Sequence, residues 1–141
     1  MAILLSEVKD NHDMPDLGII RIDRTRLYKR RWRAEAECGT EVAVALDEPA
    51  KHDQVLVGKE RSFKVQQIPE KVVIIPIPED PSFAAKIGWY LGNRHIPIEV
   101  REAVMLMEYF ENLITSLERI GIKHSIGEDI LRCKPHSEHM H

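Results

Sequence analysis

The stretch GWYLGNRHIPIEV (88–100) decides how the second half of this 141-residue chain folds. It completes a series of apolar side chains at helical spacing, i, i+4, i+7 and i+8: Phe83, Ile87, Tyr90 and Leu91. Asp80 can cap this helix, with Pro81 at its first position, and Gly92 is a typical terminator. The apolar residues that follow suit a strand. The stretch therefore predicts a junction between a helix and a strand that carries one histidine, His95.

The segment after this junction, 99–120, fits two structures. Its apolar residues keep helical spacing, but from Ile96 onward they also alternate as in two strands about a turn near Arg101. Only the later part, from about Tyr109 to a stop at Gly121, is clearly helical. With the hairpin, the second half has the order β-α-β-β-α-β, which is the order of a ferredoxin-like domain.

The first half is rich in predicted strands, and one more strand is predicted at the start of the second half. KVVIIPIPEDP (71–81) is a short apolar run in which prolines prevent a helix, as in a buried strand. Upstream, two extended segments flank Cys38 and Gly39, which predicts a hairpin over 27–46 because glycine permits a tight turn. Further strands are expected in QVLVG (54–58) and RSFKVQQI (61–68).

A change of character near residue 70 predicts a domain boundary. We therefore expect an α+β protein with a small all-β domain at 1–70, a ferredoxin-like domain at 71–133 and a flexible, histidine-containing tail at 134–141. The net charge of −3 excludes a strong overall attraction to nucleic acid or to an anionic membrane. No apolar run approaches a membrane span and no signal peptide is recognisable, so a cytoplasmic protein with reduced cysteines is expected.

The C-terminus, CKPHSEHMH (133–141), is unusual in composition. Three of the seven histidines lie in the last six residues: His136, His139 and His141. Random placement would put about 0.3 there. Imidazoles suit nickel, copper and zinc, so we favour metal binding over a solvated end or a purification remnant. Cys133 could add a thiolate, although a lone thiol is more often a small apolar group. The remaining histidines are expected to be structural or surface groups: His12, His52 and His124.

Three parts of the chain together resemble one family. They are WYLGNRHIPIEV (89–100), RRWRAEAECGTEVAVALDE (30–48) followed by HDQVLV (52–57), and the histidine-bearing C-terminus. In this order they resemble the urease accessory protein E family, UreE, whose members are nickel metallochaperones. The resemblance covers about residues 17–126 in layout.

The resemblance implies a β domain for protein contacts and a ferredoxin-like metal-binding domain, which favours the hairpin after His95. The family's GNRH histidine, here His95, lies at a homodimer interface where it and its symmetry mate hold one metal ion. The tail histidines would complete the shell. Nickel is then cargo, which Cu²⁺ or Zn²⁺ can replace in vitro. Implied partners are the urease apoprotein and other urease accessory proteins, including a GTPase, since this chain has no phosphate-binding loop.

One departure concerns further histidines that some members carry after the second strand. This chain has Glu108, Tyr109 and Glu111 there, which are poor ligands for a soft metal.

Other functions remain open from the sequence. RIDRTRLYKRRWR (21–33) has seven basic residues, one acid and two aromatics, as in an RNA-binding β surface, or in a surface that docks an acidic partner. A generic metal-storage protein is a further alternative. An enzyme is not expected, because the chain has no HExxH motif, nucleophile elbow or Gly-rich phosphate loop.

Overall fold

The computed structural model describes residues 2–10, 14 and 16–136, and the chain divides into two compact units, 1–68 and 69–141. It is of the α+β class that the sequence predicts. The first unit contains these elements: β1 (Ile3–Leu5), β2 (Glu7–Lys9), β3 (Gly18–Ile22), α1 (Arg24–Leu27), β4 (Arg31–Glu35), β5 (Glu41–Ala45), β6 (Val55–Val57) and β7 (Phe63–Gln67).

The strands of the first unit form two sheets that share one core. One sheet has the order β1-β5-β4 and the other has the order β2-β6-β7-β3. Alternate residues of the strands point inward, so that the buried cluster draws on both sheets. Its members include Val42, Val44, Trp32, Ile20, Ile22, Phe63 and Val65.

The predicted hairpin is confirmed as β4 and β5, with Gly39 at φ 88° in the turn. It begins later than predicted, because Leu27 belongs to α1. The side chain of Asp23 accepts a hydrogen bond from the Arg26 amide at 3.0 Å and so caps this short helix.

The second unit has the element order β-α-β-β-α-β. Its elements are β8 (Glu70–Pro76), α2 (Pro81–Asn93), β9 (Glu99–Arg101), β10 (Val104–Glu108), α3 (Glu111–Ile120) and β11 (Ser125–Asp129). The four strands form one antiparallel sheet in the order β11-β8-β10-β9. The first part of the segment that fitted either a helix or a hairpin is thus the hairpin β9–β10, and Glu102 takes a positive φ of 52° in its turn.

The central strands of this sheet are buried on both faces. Val73 and Met105 pack with residues of α2 and α3 on one face, while Val72 and Leu106 pack on the other face against Leu131. This two-sided burial explains the continuous apolar run in β8. None of the helices in the described part of the chain is long and apolar enough to cross a membrane.

Both helices of the second unit end in the same hydrogen-bonded turn. At the end of α3, the Gly121 amide donates to the Glu118 carbonyl at 3.2 Å and the Ile122 amide donates to the Leu117 carbonyl at 2.9 Å. This is a Schellman motif, in which one residue takes a left-handed conformation and an apolar pair closes the turn. Gly121 holds the left-handed position at φ 74°.

At the end of α2 the left-handed residue is His95. Its amide donates to the Gly92 carbonyl at 3.0 Å, and the Ile96 amide donates to the Leu91 carbonyl at 3.1 Å. His95 has φ 59°, a conformation that glycine adopts without strain and a histidine does not. The expected terminator, Gly92, lies inside the helix, because the packing of Ile96 against Leu91 selects a later stop.

Replacing His95 by glycine should relieve this strain. We expect His95→Gly to raise the free energy of unfolding of the second unit by about 1 kcal/mol, and Gly121→Ala to lower it by a similar amount. Urea unfolding with a chelator present, followed through amide resonances of the second unit, measures both changes. A loss of stability in His95→Gly would show instead that the imidazole makes a stabilising contact within the chain.

Candidate metal centre

His95 is an exposed side chain at the carboxyl end of α2. The last carbonyls of a helix carry partial negative charge, which favours a cation nearby. A non-glycine residue in the left-handed region persists where the surroundings impose it, and such residues concentrate at functional sites. The same turn at the end of α3 uses glycine, so the fold itself does not require an imidazole at this position.

The segment after β11 carries the chain from one edge of the sheet to the other. Leu131 packs on the face formed by Val72 and Leu106, opposite the helices. The Cys133 thiol then donates a hydrogen bond to the Pro97 carbonyl at 3.7 Å. Residues 130–133, which we call the crossing segment, therefore end beside the chain that links His95 to β9.

His136 lies at the same end of the sheet as His95. Its ring packs on Phe110, with centroids 5.4 Å apart and planes inclined by 49°. Phe110 follows the end of β10, whereas His95 precedes the start of β9. These two strand ends are adjacent, because Glu99 at the start of β9 pairs with Leu106 near the end of β10.

The described residues do not by themselves complete a metal site. Within residues 2–10, 14 and 16–136, no three side chains of the His, Cys, Asp or Glu type are close enough to hold an ion together. His139 and His141, which the sequence also predicts as ligands, lie outside the described residues. One chain thus presents His95 and His136 in neighbouring segments, and a metal ion held by both would need further donors.

Two other histidines make backbone hydrogen bonds. The Nδ1 atom of His52 accepts from the Gln67 amide at 3.0 Å, and Nδ1 of His124 lies 2.8 Å from the Ile122 carbonyl oxygen. Both contacts are typical of structural histidines. His12 lies outside the described residues.

The position of the family's additional histidines is unsuited to a cation here. Lys71 places its ammonium 3.9 Å from the centroid of the Tyr109 ring, just after β10. A second positive charge at this point would be repelled by the ammonium.

The basic segment 21–33 is partly neutralised. Arg21 forms an ion pair with Glu37, Arg26 pairs with Asp23 at 2.8 Å, and Arg24 is buried. Trp32 is only 7% exposed and cannot stack on a base, which weakens the RNA-binding interpretation. The exposed cations that remain are Lys29, Arg30, Arg31 and Arg33.

Sequence reasoning did not predict the crossing segment. The sequence feature that could have indicated it is the apolar Leu131. It comes soon after a polar edge strand, where the chain can return over the open face of the sheet. The sequence offers Cys133 as a further ligand, but in the structure its thiol donates to the Pro97 carbonyl and packs with the apolar cluster around Leu131.

Comparison with known proteins places the chain in a family. Residues 70–139 match the family described as the UreE urease accessory protein, C-terminal domain. Curated relatives named urease accessory protein UreE include that of Lysinibacillus sphaericus, 30% identical over 85% of this chain and 82% of the relative. Those of Cupriavidus necator and Beijerinckia indica are 31% and 30% identical over 67% and 77% of this chain.

The chain spans half of the Cupriavidus protein and 64% of the Beijerinckia protein. All three relatives are named as accessory proteins and not as enzymes, in agreement with the sequence-based expectation. The Lysinibacillus match, 123 residues long, is longer than either compact unit and so includes parts of both. The chain belongs to the UreE family of urease accessory proteins.

Proposed function

We propose that this protein is a nickel metallochaperone, which binds Ni²⁺ between two copies of the chain and delivers it for assembly of the urease metallocentre. The observation that carries the proposal is the strained, exposed His95 at a helix end whose counterpart in the same unit uses Gly121. A two-fold axis beside this histidine turns one side chain into two ligands. In this proposal the second unit is the family's ferredoxin-like metal-binding and dimerisation domain.

Exposed apolar side chains on the two elements that flank His95, α2 and β9, support the dimer. Trp89 is 70% exposed on α2, about 200° around the helix from the buried Ile87 and Leu91. Val100, on the edge strand β9, is 62% exposed. In this proposal a second copy of the chain covers both side chains while bringing two His95 residues together, as where exposed apolar groups join into an interaction surface.

The C-terminal histidines would supply the remaining donors. The crossing segment directs the chain towards the end of the sheet that holds His95, and His136 is already located there. His139 and His141 complete the ligand set that we propose. Neutral imidazoles bind nickel well but do not exclude Cu²⁺ or Zn²⁺, so selectivity would depend on metal availability and on partners.

The proposed partners are the urease apoprotein and the other urease accessory proteins, including the accessory GTPase, in the cytoplasm. The first unit offers four exposed cations between Lys29 and Arg33. A cluster of this kind favours and orients contact with an acidic protein surface.

Removing His95 should abolish tight nickel binding. We expect His95→Gly, which keeps the helix end relaxed, and His95→Ala to bind Ni²⁺ at least about tenfold more weakly, a change of about 1.4 kcal/mol. A chain ending at Lys134 should bind more weakly but remain dimeric. Isothermal titration calorimetry measures each affinity, with His124→Ala as the control. If both His95 variants and the shortened chain bind as tightly as the parent, the proposed site is wrong.

Nickel binding should weaken as the pH falls. Only the neutral imidazole ring binds a metal ion, so protons compete with nickel for the histidine ligands as the pH falls. Competitive titrations between about pH 8 and about pH 5.5 should show affinity lost on the acid side. The loss should be smaller in His95→Gly, and an equal pH dependence in both proteins would contradict a role for His95.

Removing the exposed indole should weaken the dimer. We expect Trp89→Ser to shift the protein towards monomer at micromolar concentration and to lower nickel affinity, because each monomer retains one His95. Ile126→Ser is the matched control, since Ile126 is 48% exposed on β11 at the opposite edge of the sheet. Analytical ultracentrifugation measures the fraction of monomer and dimer in each variant. An unchanged dimer in Trp89→Ser would exclude this surface as the interface.

A further inference from the structure

A polar anchor holds the crossing segment against strand β9. Arg101 pairs with Val104 and Glu99 pairs with Leu106 in the β9–β10 ladder. Paired residues of neighbouring strands point to the same face, so both charged side chains lie on the face that Leu131 covers. They therefore lie where they can meet the chain that crosses from β11.

Arg101 makes contacts on both sides of this crossing. It donates to the Glu99 carboxylate at 2.7 Å and 2.9 Å, to the Asp129 carboxylate at 3.1 Å, and to the Ile130 carbonyl at 3.0 Å. The other oxygen of Glu99 accepts a hydrogen bond from the Arg132 amide at 2.7 Å. One arginine and one glutamate thus fix the backbone of the crossing segment before and after Leu131.

The electrostatics favour a permanent anchor. The hydrogen bonds to Glu99, and after them the one to Asp129, raise the pKa of Arg101 above its ordinary value despite partial burial. Two N–H groups of Arg101 converge on one oxygen of Glu99 and a third reaches Asp129, so one guanidinium holds two carboxylates and is more specific than an isolated surface ion pair. The apolar cluster at this place is small, with Val72 and Leu106 as the two buried residues besides Leu131.

We infer that Arg101 is a positioning residue for the metal site. By fixing the crossing segment, it makes the histidine-bearing end of the chain start beside Pro97, two residues from His95. A ligand that is tethered near its site acts at a high effective concentration, and a longer free chain lowers that concentration. This inference rests on the proposed nickel site, but the anchor itself can be tested without metal.

The first experiment measures the anchor through the thiol of Cys133 in metal-free protein. In a Cys38→Ser background, which leaves one cysteine, Arg101→Met should raise the alkylation rate of Cys133 several-fold, because the thiol leaves the Pro97 carbonyl more often. The alkylation rate in Arg101→Lys should lie between that of the Cys38→Ser parent and that of Arg101→Met. Arg119→Met, which removes an exposed arginine from the last turn of α3, should leave the rate unchanged.

The second experiment connects the anchor to nickel. Arg101→Met in the full chain should lower nickel affinity to about that of the chain ending at Lys134, while the same substitution in the shortened chain should cause no further loss. Glu99→Gln should act in the same direction and provides a second variant if Arg101→Met does not fold.

The inference is overturned if the alkylation rate of Cys133 is unchanged in both Arg101→Met and Glu99→Gln. It is also overturned if nickel affinity stays at the parent value while alkylation accelerates. An equal loss of affinity in the full and shortened chains would show that Arg101 only supports the fold. By contrast, unchanged nickel binding in His95→Gly would refute the proposed function and leave the alkylation result, and the anchor, intact.

Discussion

The second unit depends on the burial of its two central strands on both faces. When the middle strands of a sheet are apolar on both faces, each face has to be buried, and α2 and α3 bury one of them. The chain after β11 buries the other by placing Leu131 over Val72 and Leu106. This requirement fixes the path of the C-terminus, because only a return across the open face removes these side chains from water. The position of His136, which follows, is a consequence of core formation.

The position of His95, the other proposed ligand, is set by the same packing. Ile96 must reach Leu91 to complete the core beneath the helices, and this contact sets where α2 stops. The residue between the helix and Ile96 is forced into a left-handed conformation, and in this chain it is His95. Glycine would fit better there, as it does in α3. The fold therefore carries a small local strain at the point where we propose that it gains a metal ligand.

Much of this architecture could be predicted from the sequence. The run in β8, the Asp80 cap of α2 and the Gly39 turn are local signals, and all three are present in the structure. The sequence predicts that α2 ends at Gly92, because glycine favours the end of a helix. The contact between Ile96 and Leu91 instead sets a later end. The choice between a helix and a hairpin after His95 depended on burial of β10 on both faces, which no short window of sequence contains.

The anchor of the crossing segment could not be predicted from local sequence patterns. Its contacts join residues that are 28 to 33 apart in sequence, and nothing in the order of Glu99, Arg101 and Asp129 indicates that they meet. Alternation along β9 does predict that Glu99 and Arg101 share a face, but the partner on that face becomes visible only when the path of the chain is known.

The two tryptophans give each unit its own optical signal. Trp32 is enclosed in the core of the first unit, and Trp89 lies on the surface of the second unit close to the proposed interface. Their environments differ in polarity, so the emission of Trp32 should be blue-shifted and that of Trp89 red-shifted and open to quenching by solutes. The intrinsic fluorescence of the unlabelled protein is thus a spectroscopic probe of each unit. If solutes no longer quench the red-shifted emission, the surface around Trp89 on the second unit has become covered.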